Sequence, residues 1–169
     1  MSHAKVPKLR YAFRETRLLM DYLAATYPGR RWYTNVRVGA LEPHALRPGM
    51  SEAEMRLLGG WRRYADAIVG PPPDVVVVET TIWKAVEKIG PLMEYLALVP
   101  ETPELAELRS YPLRGELVSP IPDQRAADIC GRVGIRFVVF KVTWLDETIA
   151  AYGRRFRRAP LSETQTRFV

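Results

Sequence analysis

The sequence contains a single cysteine, Cys130, which excludes an internal disulfide. Scarce cysteine is typical of proteins that work in a reducing compartment, so an intracellular setting is expected. No apolar run approaches the ~20 residues that a membrane-spanning helix needs, and residues 1–13 lack the apolar centre of a signal peptide. No membrane partner is therefore expected.

Histidine is also scarce. His3 and His44 have no cysteine or histidine neighbour at metal-ligand spacing, and no helix-turn-helix pattern can be recognised, which argues against a DNA-binding regulator. The chain has 169 residues and a net charge of +6. This length suits one domain with a full core. The basic balance is compatible with nucleic acid, a membrane surface or an acidic protein partner and does not distinguish among them.

Two apolar segments, each carrying one acid, stand in the middle of the sequence. Asp66 interrupts the first, over residues 64–69, and Glu79 follows the four valines of residues 75–78. The intervening Gly-Pro-Pro-Pro-Asp forms a turn, because proline fixes φ and supplies no amide donor. The segments should therefore pair as a hairpin that brings Asp66 and Glu79 side by side. Four consecutive valines predict a strand covered on both faces, at the centre of a sheet.

The rest of the chain alternates between helical and extended patterns. Amphipathic or capped segments predict helices over residues 13–27, 51–59, 83–98, 123–133 and 144–152, with a helical turn over 103–108. Strand patterns cover residues 30–38, 61–69, 74–80, 113–119 and 135–142. This order predicts an α/β fold with a mixed central sheet flanked by helices.

The order of helix, three strands, helix and strand, with an acid on each hairpin strand, resembles the PD-(D/E)XK (restriction-endonuclease-like) nuclease superfamily, and its phage-encoded members in particular. Residues 63–66, Arg-Tyr-Ala-Asp, are similar to the Arg-x-Ala-Asp strand of that family. The four valines followed by Glu79 are similar to the apolar strand that ends in the family's Glu-x-Lys motif. Leu92 and Tyr95 match part of a later Gln-Leu-x-x-Tyr stretch. The resemblance covers residues 12–150 and implies an αβββαβ core.

The composition of the two ends, together with the resemblance, predicts three regions in the chain. They are a basic N-terminal arm (1–11), a nuclease-like α/β domain (12–153) and a basic and polar C-terminal arm (154–169).

The resemblance also implies a magnesium-dependent phosphodiesterase site. Asp66 and Glu79 would hold Mg²⁺ through carboxylate oxygens, and the backbone carbonyl of Thr80 could add a ligand. Glu15 or Asp21, in the first helix, would be a supplementary acid. Such a metal polarises the scissile phosphate, and a nearby lysine stabilises the developing charge.

Two positions depart from the family pattern. Thr81 stands where the motif lysine is expected, and Pro91, which could kink or interrupt its helix, stands at the position of the glutamine. Threonine carries no charge, and losing a charge stabiliser lowers a rate by roughly hundreds-fold. Lys84 is the candidate replacement, reaching back from the start of the next helix. Lys88 is one turn further on and is expected to be less well placed.

Each candidate has an alternative interpretation as one half of an ion pair. The pairs are Asp66 with Arg62 or Arg63, Glu15 with Arg14 or Arg17, and Lys84 and Lys88 with Glu87 and Glu94.

The C-terminal arm carries a basic run around one aromatic residue. Its members are Arg154, Arg155, Phe156, Arg157 and Arg158. This composition suits contact with phosphates or docking into an acidic groove, and a solvated tail is the alternative.

The sequence leaves two functions open. The first is a structural virion protein of a tailed bacteriophage, of neck or head–tail connector type, which needs no cofactor and assembles with other virion proteins or with itself as a ring. The phage resemblance and the missing motif lysine favour this function. The alternative is an active Mg²⁺-dependent DNA endonuclease or exonuclease that uses Asp66, Glu79 and Lys84. The first would place the chain in the virion, the second in the cytoplasm of the host cell.

Overall fold

The computed structural model describes residues 9–40, 48–51, 53–54, 62–146 and 150. Its longer helices are α1 (Leu9–Thr26), α2 (Ala85–Leu98) and α3 (Gln124–Arg132). The strands are β1 (Trp32–Val38), β2 (Arg63–Val69), β3 (Val75–Thr80), β4 (Leu113–Ser119) and β5 (Ile135–Val139). Two 3₁₀ segments, Val99–Glu101 and Pro103–Ser110, connect α2 to β4. Within this part of the chain, no helix combines the length and the hydropathy needed to cross a bilayer.

The five strands form one mixed sheet in the order β1-β2-β3-β4-β5. β1 and β3 run antiparallel to β2, whereas β4 is parallel to β3 and β5 is parallel to β4. The parallel pairs need crossover connections, which α2 and α3 provide. The predicted α/β fold with an αβββαβ core and a mixed, helix-flanked sheet is confirmed.

The valine strand β3 is the centre of the sheet, and every residue from Val75 to Thr80 is buried. Val75 and Val77 pack against the side of the sheet that α2 and α3 cover. Val76 and Val78 pack on the opposite side, against Leu19 of α1 and its neighbours. Each fully buried valine contributes about 1.5 kcal/mol or more from apolar area removed from water. The prediction of a strand covered on both faces is confirmed.

A buried acid on β4, Glu116, fixes α1 to the sheet. The hydroxyls of Tyr22 and Tyr27 donate to its Oε2 at 2.5 and 2.7 Å, and Arg114 and Arg136 donate to Oε1. Burial alone would raise the pKa of Glu116, but the two hydroxyls and Arg114 lower it overall. Glu116 is therefore a fully partnered, ionised carboxylate that joins helix to sheet.

Some element ends differ from those predicted. α1 begins at Leu9, inside the residues assigned to the N-terminal arm, and β5 ends at Val139 because the chain leaves the sheet after pairing with Ser119. α2 runs through Pro91 without interruption. The rest of the N-terminal arm, most of the helix predicted over 51–59, part of that over 144–152 and the C-terminal arm lie outside the described residues.

Candidate active site

The hairpin of β2 and β3 brings its two acids to one end of the sheet. Ala67 lies opposite Val78, so Asp66 and Glu79 are the next residues on the two strands. Oδ2 of Asp66 accepts two hydrogen bonds from Thr80, one from the backbone amide and one from the hydroxyl, both at 2.8 Å. These bonds hold the Asp66 carboxyl against the end of β3.

Glu79 is 2% exposed and has a cation beside it. The ammonium of Lys88 donates to Oε1 at 2.7 Å, while Oε2 has no hydrogen-bond partner. A buried carboxylate oxygen without a partner is costly, and native proteins rarely keep one without a reason. Glu79 therefore has one oxygen available for a ligand.

Lys88, and not Lys84, supplies the cation. Nζ of Lys84 pairs with Glu87 at 2.8 Å, and the Lys84 side chain is 68% exposed. Lys84 precedes the first residue of α2, whereas Lys88 borders the buried stripe of that helix formed by Ala85, Ile89 and Leu92. The expectation that Lys84 would be better placed than Lys88 is wrong, because the helical stripe turns position 88 toward the sheet.

Thr81, at the position of the motif lysine, has a structural role at the start of α2. Its side chain is buried, and its Oγ1 accepts a hydrogen bond from the backbone amide of Lys84 at 3.2 Å. Its own amide donates to the carbonyl of Val118 at 3.0 Å. Thr81 therefore helps to turn the chain from β3 into the helix that carries Lys88.

α1 adds a third acid, Glu15. Burial raises the pKa of Glu15, and Lys88 partly opposes that shift. The Glu15 carboxyl also interacts with the backbone of Ile82, the charge of Asp66 and the hydroxyl of Thr81. Asp21, the other candidate on α1, instead accepts a hydrogen bond from Trp144 Nε1 at 2.9 Å, and Arg17 lies 3.9 Å away. The structure thus brings Glu15 to the site and ties Asp21 to Trp144.

The charges in the site shift one another's titration. Burial raises the pKa of Glu79 to about 7, the nearby charge of Asp66 adds to the rise, and Lys88 opposes it. Burial alone would lower the pKa of Lys88, but its hydrogen bond and ion pair with Glu79, and the charges of Asp66 and Glu15, raise it overall. Lys88 therefore stays charged near neutral pH, where Glu79 is close to its titration point. Shifted groups of this kind concentrate at functional sites.

A cavity of about 370 Å³ opens beside Asp66 and Glu15. The other lining residues are Thr16, Leu19, Thr34, Asn35 and Thr80. Sequence reasoning missed Thr16, Thr34 and Asn35, because single polar residues on a helix or an edge strand have no pattern that distinguishes them. The cavity is large enough for a ligand of moderate size, and six of its seven lining residues carry a polar or charged side chain.

The alternative ion pairs have mixed outcomes. Arg62 pairs with Glu104 and Arg63 with Glu94, so neither takes Asp66 as its ion-pair partner. Lys84 does form a surface pair with Glu87, as that interpretation predicts. The basic run from Arg154 to Arg158 lies outside the described residues.

The donor set fits a divalent cation that keeps part of its water shell. Among the described residues no group of three or more His, Cys, Asp or Glu side chains is arranged to hold a metal ion. Mg²⁺, however, is commonly bound by one or two carboxylates together with waters and substrate phosphate oxygens. Asp66, Glu79 through its unpartnered Oε2 and the Thr80 carbonyl would provide such a set.

Comparison with known proteins yields distant structural likenesses and no match in sequence. No protein-family model matches the chain, and no curated protein is significantly similar. A repair endonuclease from Pyrococcus abyssi is 15% identical with a TM-score of 0.46, over 83% of this chain and 50% of that one. AF1548, a protein of unknown function, is 11% identical with a TM-score of 0.45, over 73% and 56%. The chain thus spans only about half the length of these structures, and at these values neither assigns it an activity.

Proposed function

We propose that the chain is a divalent-metal-dependent nuclease that hydrolyses phosphodiester bonds in DNA. The observation that carries the proposal is the ion pair of Lys88 with Glu79, at 2.7 Å, beside Asp66. Two carboxylates and an ammonium are the charged groups that this chemistry needs, and here α2 supplies the cation that the strand motif lacks.

Each residue has a distinct role in the proposed reaction. Water adds to phosphorus, the bond from phosphorus to the leaving sugar oxygen breaks, and that oxygen takes up a proton. The Lys88 ammonium is placed to stabilise the negative charge that develops on the phosphate or to orient the attacking water. Thr80 fixes the Asp66 carboxyl through two hydrogen bonds, so that the acid needs little reorganisation during the reaction.

Asp66, Glu79 and the Thr80 carbonyl would hold the metal, with Glu15 as a supplementary acid. When bound, Mg²⁺ would polarise the phosphate and lower the pKa of a water molecule. The unpartnered Oε2 of Glu79 supports this assignment, because a bound cation would satisfy it.

The virion structural role remains a prediction with a weaker basis. It rests on the phage resemblance and on the loss of the motif lysine, and the second of these grounds is weakened because Lys88 supplies a cation at the site. Loss of catalysis is therefore no longer implied by Thr81. The two functions differ in a measurable property, since a neck or connector protein should form a ring in solution.

The test is cleavage of supercoiled plasmid DNA with Mg²⁺ or Mn²⁺ by the wild type, Lys88→Met and Lys84→Met. We expect Lys88→Met to lose roughly 100-fold in rate, since one charge stabiliser disappears. Lys84→Met is the matched control and should cut like the wild type, because Lys84 pairs with Glu87 at the surface.

Equal rates in the two variants would contradict the role of Lys88. Absence of metal-dependent cleavage by the wild type, together with a ring-sized mass in light scattering, would contradict the nuclease and favour the virion protein. Asp66→Ala confirms that any cleavage belongs to this site, because it removes an acid that Thr80 holds in place.

A further inference from the structure

Asn35 has an unusual backbone conformation in the middle of edge strand β1. Its φ is 53°, in the left-handed region that residues other than glycine rarely adopt. The neighbouring pairs of the β1–β2 ladder are Thr34 with Ala67 and Val36 with Ala65. Asn35 is therefore the residue that stands across from Asp66.

The left-handed residue changes which side chains reach the cavity. In a regular strand, consecutive side chains point to opposite faces of the sheet. Here the consecutive residues Thr34 and Asn35 both line the cavity that Asp66 lines. The irregular backbone at Asn35 explains this, because it interrupts the alternation at that position. Asparagine is one of the few residues other than glycine that tolerate this region, and such conformations cluster at functional sites.

The cavity has the chemistry of a nucleotide subsite. Asn35 offers a carboxamide that both donates and accepts, and Thr34 offers a hydroxyl. An amide can bind a base edge through two hydrogen bonds at once, and adenine presents the matching donor and acceptor. The acids Asp66 and Glu15 line the same cavity, so a base bound there would have its phosphate close to the catalytic groups.

We propose that Asn35 is a specificity-determining residue, whose carboxamide binds the base of a nucleotide next to the bond that is cut. This inference rests on the proposed nuclease function and adds a base preference to it. A base inside this cavity cannot be stacked in a duplex, so the nucleotide concerned is unpaired or turned out of the helix.

The test compares Asn35→Gly with the wild type on oligonucleotides that vary at each position around the cut. Glycine adopts positive φ freely, so this variant keeps the backbone and removes only the carboxamide. Tyr33→Ala is the control, because Tyr33 is an exposed neighbour on β1 that does not line the cavity. Thermal melting of all three proteins checks that they fold.

We expect the wild type to prefer adenine at one position next to the cut by roughly 5-fold to 150-fold, which is the range for a bidentate base contact. Asn35→Gly should lose this preference while Tyr33→Ala keeps it. A wild type without a base preference, or an Asn35→Gly variant that retains it, would overturn the inference while the nuclease function stands.

A second readout separates failure of the inference from failure of the nuclease. Binding of the same single-stranded oligonucleotides is measured in Ca²⁺, which occupies oxygen sites and commonly does not support cleavage. If the wild type cuts nothing, the proposed function fails, and binding then decides the part of the inference that does not need cleavage, which is recognition of a base by Asn35. Weaker and less base-dependent binding by Asn35→Gly supports it, whereas equal binding by the two proteins overturns it.

Discussion

At the scale of single residues, two buried glutamates show how their surroundings separate a structural acid from a functional one. Glu116 is fully buried, and both of its oxygens accept hydrogen bonds, so its pKa lies below the usual range. Glu79 is equally buried, but its Oε2 has no partner and its pKa is raised to about 7. Burial is similar in the two cases, and the neighbours decide the difference: two hydroxyls and Arg114 lower the pKa of Glu116, whereas the charge of Asp66 adds to the effect of burial at Glu79.

The raised pKa of Glu79 predicts that stability of the metal-free protein depends on pH. The folded state binds this proton more tightly than the unfolded chain, whose reference pKa is 4.5. The contribution is therefore fully present below about pH 4.5 and is lost as the pH rises through about 7. Glu79→Gln should remove this dependence, so that the variant gains roughly 2–3 kcal/mol relative to wild type between pH 5 and pH 8.

Urea unfolding in EDTA at pH 5, 6, 7 and 8 measures this difference. A constant gap between wild type and Glu79→Gln across the series would contradict the raised pKa. Lys88 is not expected to contribute to the slope in this window, because its pKa is raised from an already high reference value.

At the scale of elements, glycines in a strand and in a helix test how closely α2 packs on the sheet. A Cβ at Gly115 of β4 would lie 2.9 Å from Leu96 Cδ1 and 3.5 Å from Leu92 Cδ2, both on α2. Gly115→Ala should therefore cost about 1 kcal/mol, since Leu96 must move. Gly90→Ala, inside α2, meets nothing within 4 Å and should stabilise by about 0.5–1 kcal/mol. Thermal unfolding of both variants measures whether each substitution raises or lowers stability. A stabilising Gly115→Ala would contradict the close packing of α2 on β4.

The elements are predictable where a physical pattern covers their whole length. Four valines between a proline turn and an acid have few alternatives to a central strand, and β3 is that strand. The capping box predicted at residue 51 is also present, since Ser51 Oγ and Glu54 Oε2 each accept a hydrogen bond from the other residue's amide. Pro91 does not interrupt its helix, because tertiary packing of Leu92 and Tyr95 holds α2 together across one missing donor.

The site is predictable only where its residues belong to those patterns. The proximity of Asp66 and Glu79 is predictable, because the pairing of β2 with β3 in a hairpin places the two acids next to each other. Lys88 is ranked too low from the sequence, although its place beside the Ala85, Ile89 and Leu92 stripe is visible there. Asn35 is not predictable, because positive φ in an edge strand arises from tertiary structure and has no local signal. The sequence patterns therefore do not predict how separate elements are placed relative to one another.

At the scale of the whole molecule, the candidate site depends on both layers of helices. Glu15 comes from α1 on one face of the sheet, Lys88 from α2 on the other, and Asp66 and Glu79 from the hairpin between them. Local unfolding of either layer would separate these groups. The Glu116 network, which joins α1 to β4, thereby supports a site in which it has no direct part.

The distribution of charge leads to a prediction about binding. The site gathers three carboxyls around one ammonium, while the chain as a whole carries +6, so attraction for a polyanion must come from elsewhere. The densest basic segment is the C-terminal run of Arg154, Arg155, Arg157 and Arg158.

If these arginines neutralise phosphates, replacing all four by glutamine should reduce the slope of log affinity against log salt by about 0.9 for each contact with duplex DNA. Fluorescence anisotropy between 50 and 200 mM salt measures both slopes. The control for net charge removes the same number of charges elsewhere in the domain, by glutamine at the exposed residues Arg31, Arg109, Arg125 and Arg132. Identical slopes for the wild type and the arginine variant would show that the arm does not bind phosphate.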